Sequence, residues 1–329
     1  MLSKDLALQM LAALAVLLLS IGLFCYTRIA KTRAIAGVAL DGRTLRHASL
    51  HLRADREVVQ AAVKQNGHAL DSACAELQGD RAVVMLAVSK SGLALQYASD
   101  ELRADHAVVH AAISQNGCAL EYASEELRGD REAVTAAVAQ NGCALTCASM
   151  ELRGSRELVL AAVATDGWAL KHASAGLRQD REVVLAAVSL NGCALLFTSP
   201  RMRADRGVVL AAVTQYGLAL QHASAELRGD REVVLVAVTQ NGGAVTHASE
   251  ELRNDKNVML AAVAQDSRVF RFASAELKVD REMVVATVAL DGGVLQSLSK
   301  VMRADRDVVM AAVADPPYPS RILDPLFRN

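Results

Sequence analysis

The sequence predicts an all-α chain, in which one hydrophobic, membrane-spanning helix precedes an α-solenoid of about eleven two-helix units. Three observations predict it. Glycine recurs every 25 residues, at Gly42, Gly67, Gly92, Gly117, Gly142, Gly167, Gly192, Gly217, Gly242 and Gly292, with Ser267 in the one remaining place. The residues between these glycines repeat one pattern, N-G-x-A-L-x-x-A-S-x-E-L-R-x-D-R-E-V-V-L-A-A-V-x-Q, with apolar positions at helical spacing. Residues 6–27 carry no charge at all.

Taken in order, residues 1–5 are a short polar flank and residues 6–27 the hydrophobic helix. Its length of roughly 33 Å at about 1.5 Å per residue matches a hydrocarbon core of about 30 Å. Phe24 and Tyr26 stand at one end, where aromatic rings favour the interface. Arg28, Lys31 and Arg33 follow in a basic juxtamembrane linker, residues 28–40, and that positive excess places the remainder of the chain in the cytoplasm. The alternative is a cleaved signal peptide, which would deliver the array to a lumen or the exterior. The apolar stretch exceeds the usual signal core of about 7–15 residues, and the Ala34-Ile35-Ala36 cleavage pattern lies beyond the basic cluster, which favours the anchor.

Eleven units occupy residues 41–315. With glycine as slot zero, a first helix is expected over slots two to eleven, such as 119–128, with Leu120, Ala123 and Leu127 on one face. Asp at slot thirteen, as in Asp130, suits a helix N-cap, and a second helix follows over slots fourteen to twenty-three. Asn-Gly then ends the unit, with glycine expected in the left-handed conformation that stops helices. Slot twenty is Ala in ten of eleven units, which implies close helix packing. Pro200 is expected to shorten or kink its first helix, and the Pro-rich segment 316–329 to lie outside the array. At roughly 9–10 Å per unit the array would run about 100 Å along its curved axis, of either hand. Length alone suggests about two domains, but the unbroken phase replaces them with one array.

The lines "NGCALEYASEELRGDREAVTAAVAQ" and "QHASAELRGDREVVLVAVTQNG" resemble the short helical repeat catalogued as domain-of-unknown-function family four-one-one-six. The resemblance covers residues 41–314 and implies an all-helical repeat array. It implies no activity, cofactor or site residue.

Composition limits function. The net charge of −1, from 35 basic and 36 acidic residues, argues against a bulk nucleic-acid binder, so none is expected as partner. Six cysteines without a CxxC pair make neither a disulfide scaffold nor a zinc knuckle. No phosphate loop or His-Glu-x-x-His helix is present, and no metal or other cofactor is implied. The Ser row (Ser99, Ser124, Ser149, Ser174, Ser199, Ser224) lacks an oxyanion motif; its hydroxyls are expected on the carbonyl of slot three. Slot five (His47, His172, His222, His247, Tyr97, Tyr122, Phe197, Phe272) reads as a half-buried packing row, without a complete ligand set for zinc.

Two arginine rows remain as candidate partner- or anion-binding surfaces. Slot eleven supplies Arg103, Arg128, Arg153, Arg178, Arg203 and Arg228; slot fourteen supplies Arg131, Arg156, Arg181, Arg206 and Arg231. Acids at slots nine, thirteen and fifteen are close enough to pair with both rows, so ion-pair ladders are the first expectation and an anion-binding face the second. The expected function is a non-catalytic, membrane-anchored scaffold for an unidentified protein partner, with variable slots one, four, eight, twelve and twenty-two giving specificity. The alternatives are a spacer or anionic-lipid-associated protein using the arginine rows, and an enzyme with an unfamiliar site. The main departures from repetition are Ser155, Trp168, Pro200, Tyr216 and Ser267-Arg268, and they form no known catalytic constellation.

Close packing at slot twenty makes Ala162→Leu an overpacking change that costs about 1–3 kcal/mol. A thermal melt indistinguishable from wild type would remove slot twenty from the core.

Overall fold

The computed structural model describes residue 17 and residues 27–313. The expected membrane helix, apart from residues 17 and 27, and the Pro-rich tail lie outside the described residues. Among the described residues no helix is long and apolar enough to cross a membrane. Every regular element among them is helical. The chain divides into two compact units, Met1–Ser149 and Met150–Asn329, and the 25-residue phase continues in each.

The repeats contain three elements rather than two, except the one from Ser267, where residues 275–279 form a turn instead of the short helix. In one repeat of the first body, Gly117–Tyr122 is a 3₁₀ helix, Glu125–Gly129 a short α-helix and Arg131–Gln140 a ten-residue α-helix. The single first helix expected over slots two to eleven is therefore broken. Its stripe explains the break: Leu120 and Ala123 are three apart, which fits three residues per turn, and Leu127 lies four further on. Between them Ala123 and Ser124 are extended, with ψ of 160° and 158°, and Ser124 Oγ accepts from Leu127 N at 3.3 Å. The serines thus cap the short helix, and do not bond to slot three as expected; Ser99, Ser199, Ser224 and Ser249 repeat the geometry. The short element varies from an α-helix at Glu250–Arg253 to a 3₁₀ turn at Leu177–Gln179. Pro200 does not kink it: it occupies the first position of Pro200–Arg203, where its missing N–H costs nothing.

Asp at slot thirteen caps the long helix as expected, with Asp180 Oδ1 accepting from Glu182 N at 3.0 Å and Val183 N at 3.2 Å. Asn at slot twenty-four ends it in an extended conformation and caps the next 3₁₀ helix, as when Asn191 Oδ1 accepts from Cys193 N at 3.0 Å. Three polar, extended residues per repeat therefore make its three corners.

The glycine stops nothing by handedness, because no described glycine has a positive φ. Its role is closeness. A Cβ on Gly192 would sit 2.3 Å from the carbonyl oxygen of Ala212, twenty residues on, and Gly117 meets Ala137 in the same way at 2.4 Å. The Gly117 N–H also donates to Gln140 Oε1 at 2.7 Å. Slots two, three, seventeen, twenty and twenty-one make the core: in the second body Ala194, Leu195, Val209, Ala212 and Val213 have no exposed surface. Ala162 is equally buried. Successive repeats are joined through the backbone: Ser124 N donates to Arg103 O at 2.9 Å in the first body, and Ser224 N to Arg203 O at 2.8 Å in the second.

The segment expected as a basic linker, 28–40, is helical. Its last ten residues hold the register of a long helix one repeat before Arg56–Gln65. Lys31 stands 25 residues before Arg56 and pairs with Asp55 at 2.8 Å and Glu57 at 2.9 Å, while Val38, the counterpart of Val63, is buried. The segment is the first rung of the array.

Gly192→Ala should lower stability by about 1–3 kcal/mol, because its Cβ would meet backbone that cannot move aside alone. Gly129→Ala, with nothing within 4 Å of its Cβ, should be neutral or stabilising. Denaturant melts of the two variants check this; equal midpoints would refute the close-approach role.

Candidate interaction surface

The two arginine rows behave differently. Slot fourteen forms a ladder between repeats. In the second body Arg156 pairs with Asp180 at 3.0 Å and with Glu182, Arg181 with Asp205 at 2.9 Å, Arg206 with Asp230 at 2.9 Å and with Glu232, and Arg231 with Asp255 at 3.6 Å. Lys256 and Arg281 continue it. In the first body Arg56 and Arg81 reach Asp80 and Asp105 at 3.1 and 3.0 Å, and Arg131 is exposed in the same slot. The same aspartates cap the long helices. The Arg181 guanidinium, together with the helix N–H groups, holds the Asp205 carboxyl below the usual carboxylate value, and Asp180 is held down by the Val183 N–H and then by Arg156. Exposed pairs of this kind contribute little stability singly.

Slot eleven does not form the expected ladder. Among the described residues Arg103 alone of Arg103, Arg128, Arg153, Arg178, Arg203 and Arg228 has an acidic partner, Asp100, one turn before it on its own short helix. In all six, and in Arg253, Nε is shielded from water and has no hydrogen-bond partner. The reason is where the backbone puts them. The slot-eleven carbonyl is held by the slot-seven N–H of the next repeat, which carries the side chain toward that repeat's slot five and away from the aspartates at slot thirteen. Arg53 completes the approach, its Nε donating to the slot-five carbonyl of Ser72 at 2.5 Å.

Slot five therefore lies beside slot eleven, and its electrostatics record this. Burial, then Lys171 and Arg153, push the His172 imidazole below its ordinary value; burial, then Arg203 and His247, lower His222; burial, then Arg228, lowers His247. In the first body burial and Glu121 push the Cys147 thiol up to about 11, against the pull of Arg128. Among the described residues no three His, Cys, Asp or Glu side chains converge as a metal site. The five described cysteines are free thiols.

One stretch of the second body departs from the repeat. Slots eight and nine carry an acid in most repeats (Asp100-Glu101, Glu125-Glu126, Glu250-Glu251), but hold Ala175-Gly176 and then Pro200-Arg201. In the same two repeats Trp168 packs against Phe197 with ring centroids 5.3 Å apart, and Lys171 Nζ lies 5.9 Å from the Phe197 centroid. Trp168 and Leu196 are 42% and 47% exposed, large values for such apolar side chains. Sequence reasoning singles out Trp168 and, in slot five, Phe197, but not their contact; the lost acids in two consecutive repeats are the signal that marks the stretch. On the long-helix side a concavity of about 670 Å³ is lined by Leu235, Val236 and the polar Thr214, Arg231, Glu232, Thr239 and Gln240.

The profile of the family described as "Domain of unknown function (DUF4116)" matches the chain eight times, at residues 34–78, 80–128, 107–153, 130–178, 155–203, 180–228, 205–249 and 230–278. The chain belongs to this family. Most matches span about two of the 25-residue repeats, and the first begins inside the opening helix rather than at Gly42. No curated protein and no solved structure matches the chain.

The charge shifts predict two separate losses of stability on acidification. The three histidines bind protons less readily folded than unfolded, so stability falls as pH drops below their ordinary value of 6.5. The lowered aspartates, among them Asp105, Asp205 and Asp230, stabilise the fold above their ordinary 3.8, and that contribution is lost as pH falls through their lowered values. Thermal melts across this range should show both steps. The triple variant His172→Phe, His222→Phe, His247→Phe, which copies the residue found at Phe197 and Phe272 in the same slot, should lose the upper step alone; an undiminished upper step would refute the assignment.

Proposed function

We propose that the chain is a non-catalytic repeat protein that binds a protein partner along the face carrying slots five and eleven, tethered to a membrane by the apolar segment 6–27. One observation carries the binding reading: the slot-eleven arginines recur through the array without the ion pairs that occupy slot fourteen. The fold uses its glycines, slot-twenty alanines, aspartates and slot-fourteen arginines internally, whereas the guanidiniums of Arg128, Arg153, Arg178, Arg203 and Arg228 are left for an outside acceptor. A repeated planar donor suits carboxylates or phosphates along an extended ligand. The tether rests on the uncharged stretch, which is long enough to span a bilayer. Of the three basic residues that orient it toward the cytoplasm, Lys31 is already neutralised by Asp55 and Glu57, so orientation rests on Arg28 and Arg33.

Affinity capture with the detergent-solubilised full chain, at low and high salt, tests the binding reading. The expected result is a defined protein retained at both salts and lost when Arg153, Arg178, Arg203 and Arg228 are changed to Gln. Retention of anionic lipid alone, lost at high salt, would replace it with a lipid-associated role. Retention of nothing would favour a spacer.

A further inference from the structure

Within the second body, cationic and aromatic groups meet in a stretch poor in acids. From Gly167 to Ala204 the only carboxylates are Asp180 and Glu182, and both are engaged by Arg156. Lys171, Arg178, Arg201 and Arg203 in the same stretch have no carboxylate partner among the described residues. Arg181, the remaining cation of the stretch, is bound to Asp205. Lys171 lies against the Phe197 ring of the Trp168–Phe197 pair, Arg178 occupies the slot-eleven place before Phe197 that Arg153 occupies before His172, and Leu196, next to Phe197 in the chain, is exposed. Trp168 is the only tryptophan in the chain. It falls in slot one, Lys171 and Leu196 in slot four and Pro200 in slot eight, all positions the fold leaves variable.

We propose that this surface, Trp168 and Phe197 with Lys171 and the slot-eleven arginines Arg178 and Arg203, binds an extended acidic peptide segment of a protein partner, with a carboxylate at every third residue and an apolar side chain against the ring pair. The proposal deepens the protein-binding reading above and rests on it. The spacing follows from geometry. Equivalent side chains in consecutive repeats lie about 8–10 Å apart, as packed helices do, and a peptide in the polyproline-II conformation advances about 3.1 Å per residue with three residues per turn, so every third side chain points the same way and meets successive arginines. Arg153 and Arg228, also free of acidic partners, extend the row to four rungs with Arg178 and Arg203. With Nε enclosed, each guanidinium offers its outer N–H groups, a planar fork that matches a carboxylate. The apolar pair supplies what a purely electrostatic strip lacks, an anchor whose burial does not weaken with salt.

The sole tryptophan makes the test direct. The full chain in detergent is titrated with a blocked twelve-residue peptide of four Glu-Ser-Leu triplets, following tryptophan emission. The expected result is a saturable shift in emission, with binding weakened about tenfold or more by Arg178→Gln/Arg203→Gln and by replacing the peptide's Glu with Gln, a change that leaves the protein untouched. A peptide of the same composition in scrambled order should also bind more weakly. Arg181→Gln, in the paired slot-fourteen row, should bind like wild type. Circular dichroism melts establish that the variants are folded. The proposal is overturned by no emission change, by equal binding of the Gln peptide, by unaltered binding in the double variant, or by tighter binding of a twelve-nucleotide oligothymidylate, which would make the surface a single-stranded nucleic-acid site. A protein captured equally well by wild type and by Arg178→Gln/Arg203→Gln would sink this site while leaving the scaffold reading intact.

Discussion

The repeats, apart from the one that opens with Ser267, depend on a glycine that lies directly against a carbonyl oxygen. The contact between Gly192 and Ala212 O, and its equivalents, sets how near the 3₁₀ helix comes to the long helix that follows it. That nearness in turn requires Ala at slot twenty and aligns Ala194 and Leu195 with Val209 and Val213 in the core. It also brings the Gln side chain at slot twenty-three onto the glycine N–H, as in Gly217 to Gln240 at 2.6 Å. The 3₁₀ form follows from the same constraint: a tighter helix presents slots zero and three on one side, so a bare backbone and a leucine can both face inward.

The architecture then sorts its charges by backbone position. Asp at slot thirteen must cap a helix, so it points along the long-helix side, where the slot-fourteen cation of the preceding repeat finds it. Arg at slot eleven is turned to the other side by the hydrogen bond on its own carbonyl. Two residues of the same type, three positions apart, consequently meet opposite surroundings. Near-neutral composition per repeat conceals this separation, because the acids that balance the charge are not the neighbours of the arginines they balance.

Much of the fold is legible in the sequence, since the 25-residue phase, the aspartate caps and the buried slot-twenty alanines follow from residue types whose roles are local. The break in the first helix is not, because spacings of three and four are both compatible with an α-helical stripe and only the serine cap decides between one element and two. Sequence suggests a conformational role for the glycine when its actual role is steric, a distinction that requires knowing what lies against it. The basic residues 28–40 look like a linker because they lack the glycine that marks a repeat; Lys31 and Val38 show that a repeat can begin at its second half. Of the candidate surface, both arginine rows are visible from sequence, but which row is neutralised depends on side-chain direction across repeats.

The joints between repeats as far as Ser249 use the same slot pairs within each body: a slot-eleven carbonyl with a slot-seven N–H and, where both residues are present, a slot-fourteen cation with a slot-thirteen aspartate, which Ser155 replaces in one repeat. Excising or duplicating one whole repeat from the interior of a body would rejoin like with like. Insertions of any other length would shift every cap and every glycine out of place. Repeat number is therefore the quantity such a gene can change most cheaply by unequal recombination, and related chains should differ in length by multiples of 25 residues while keeping each joint intact.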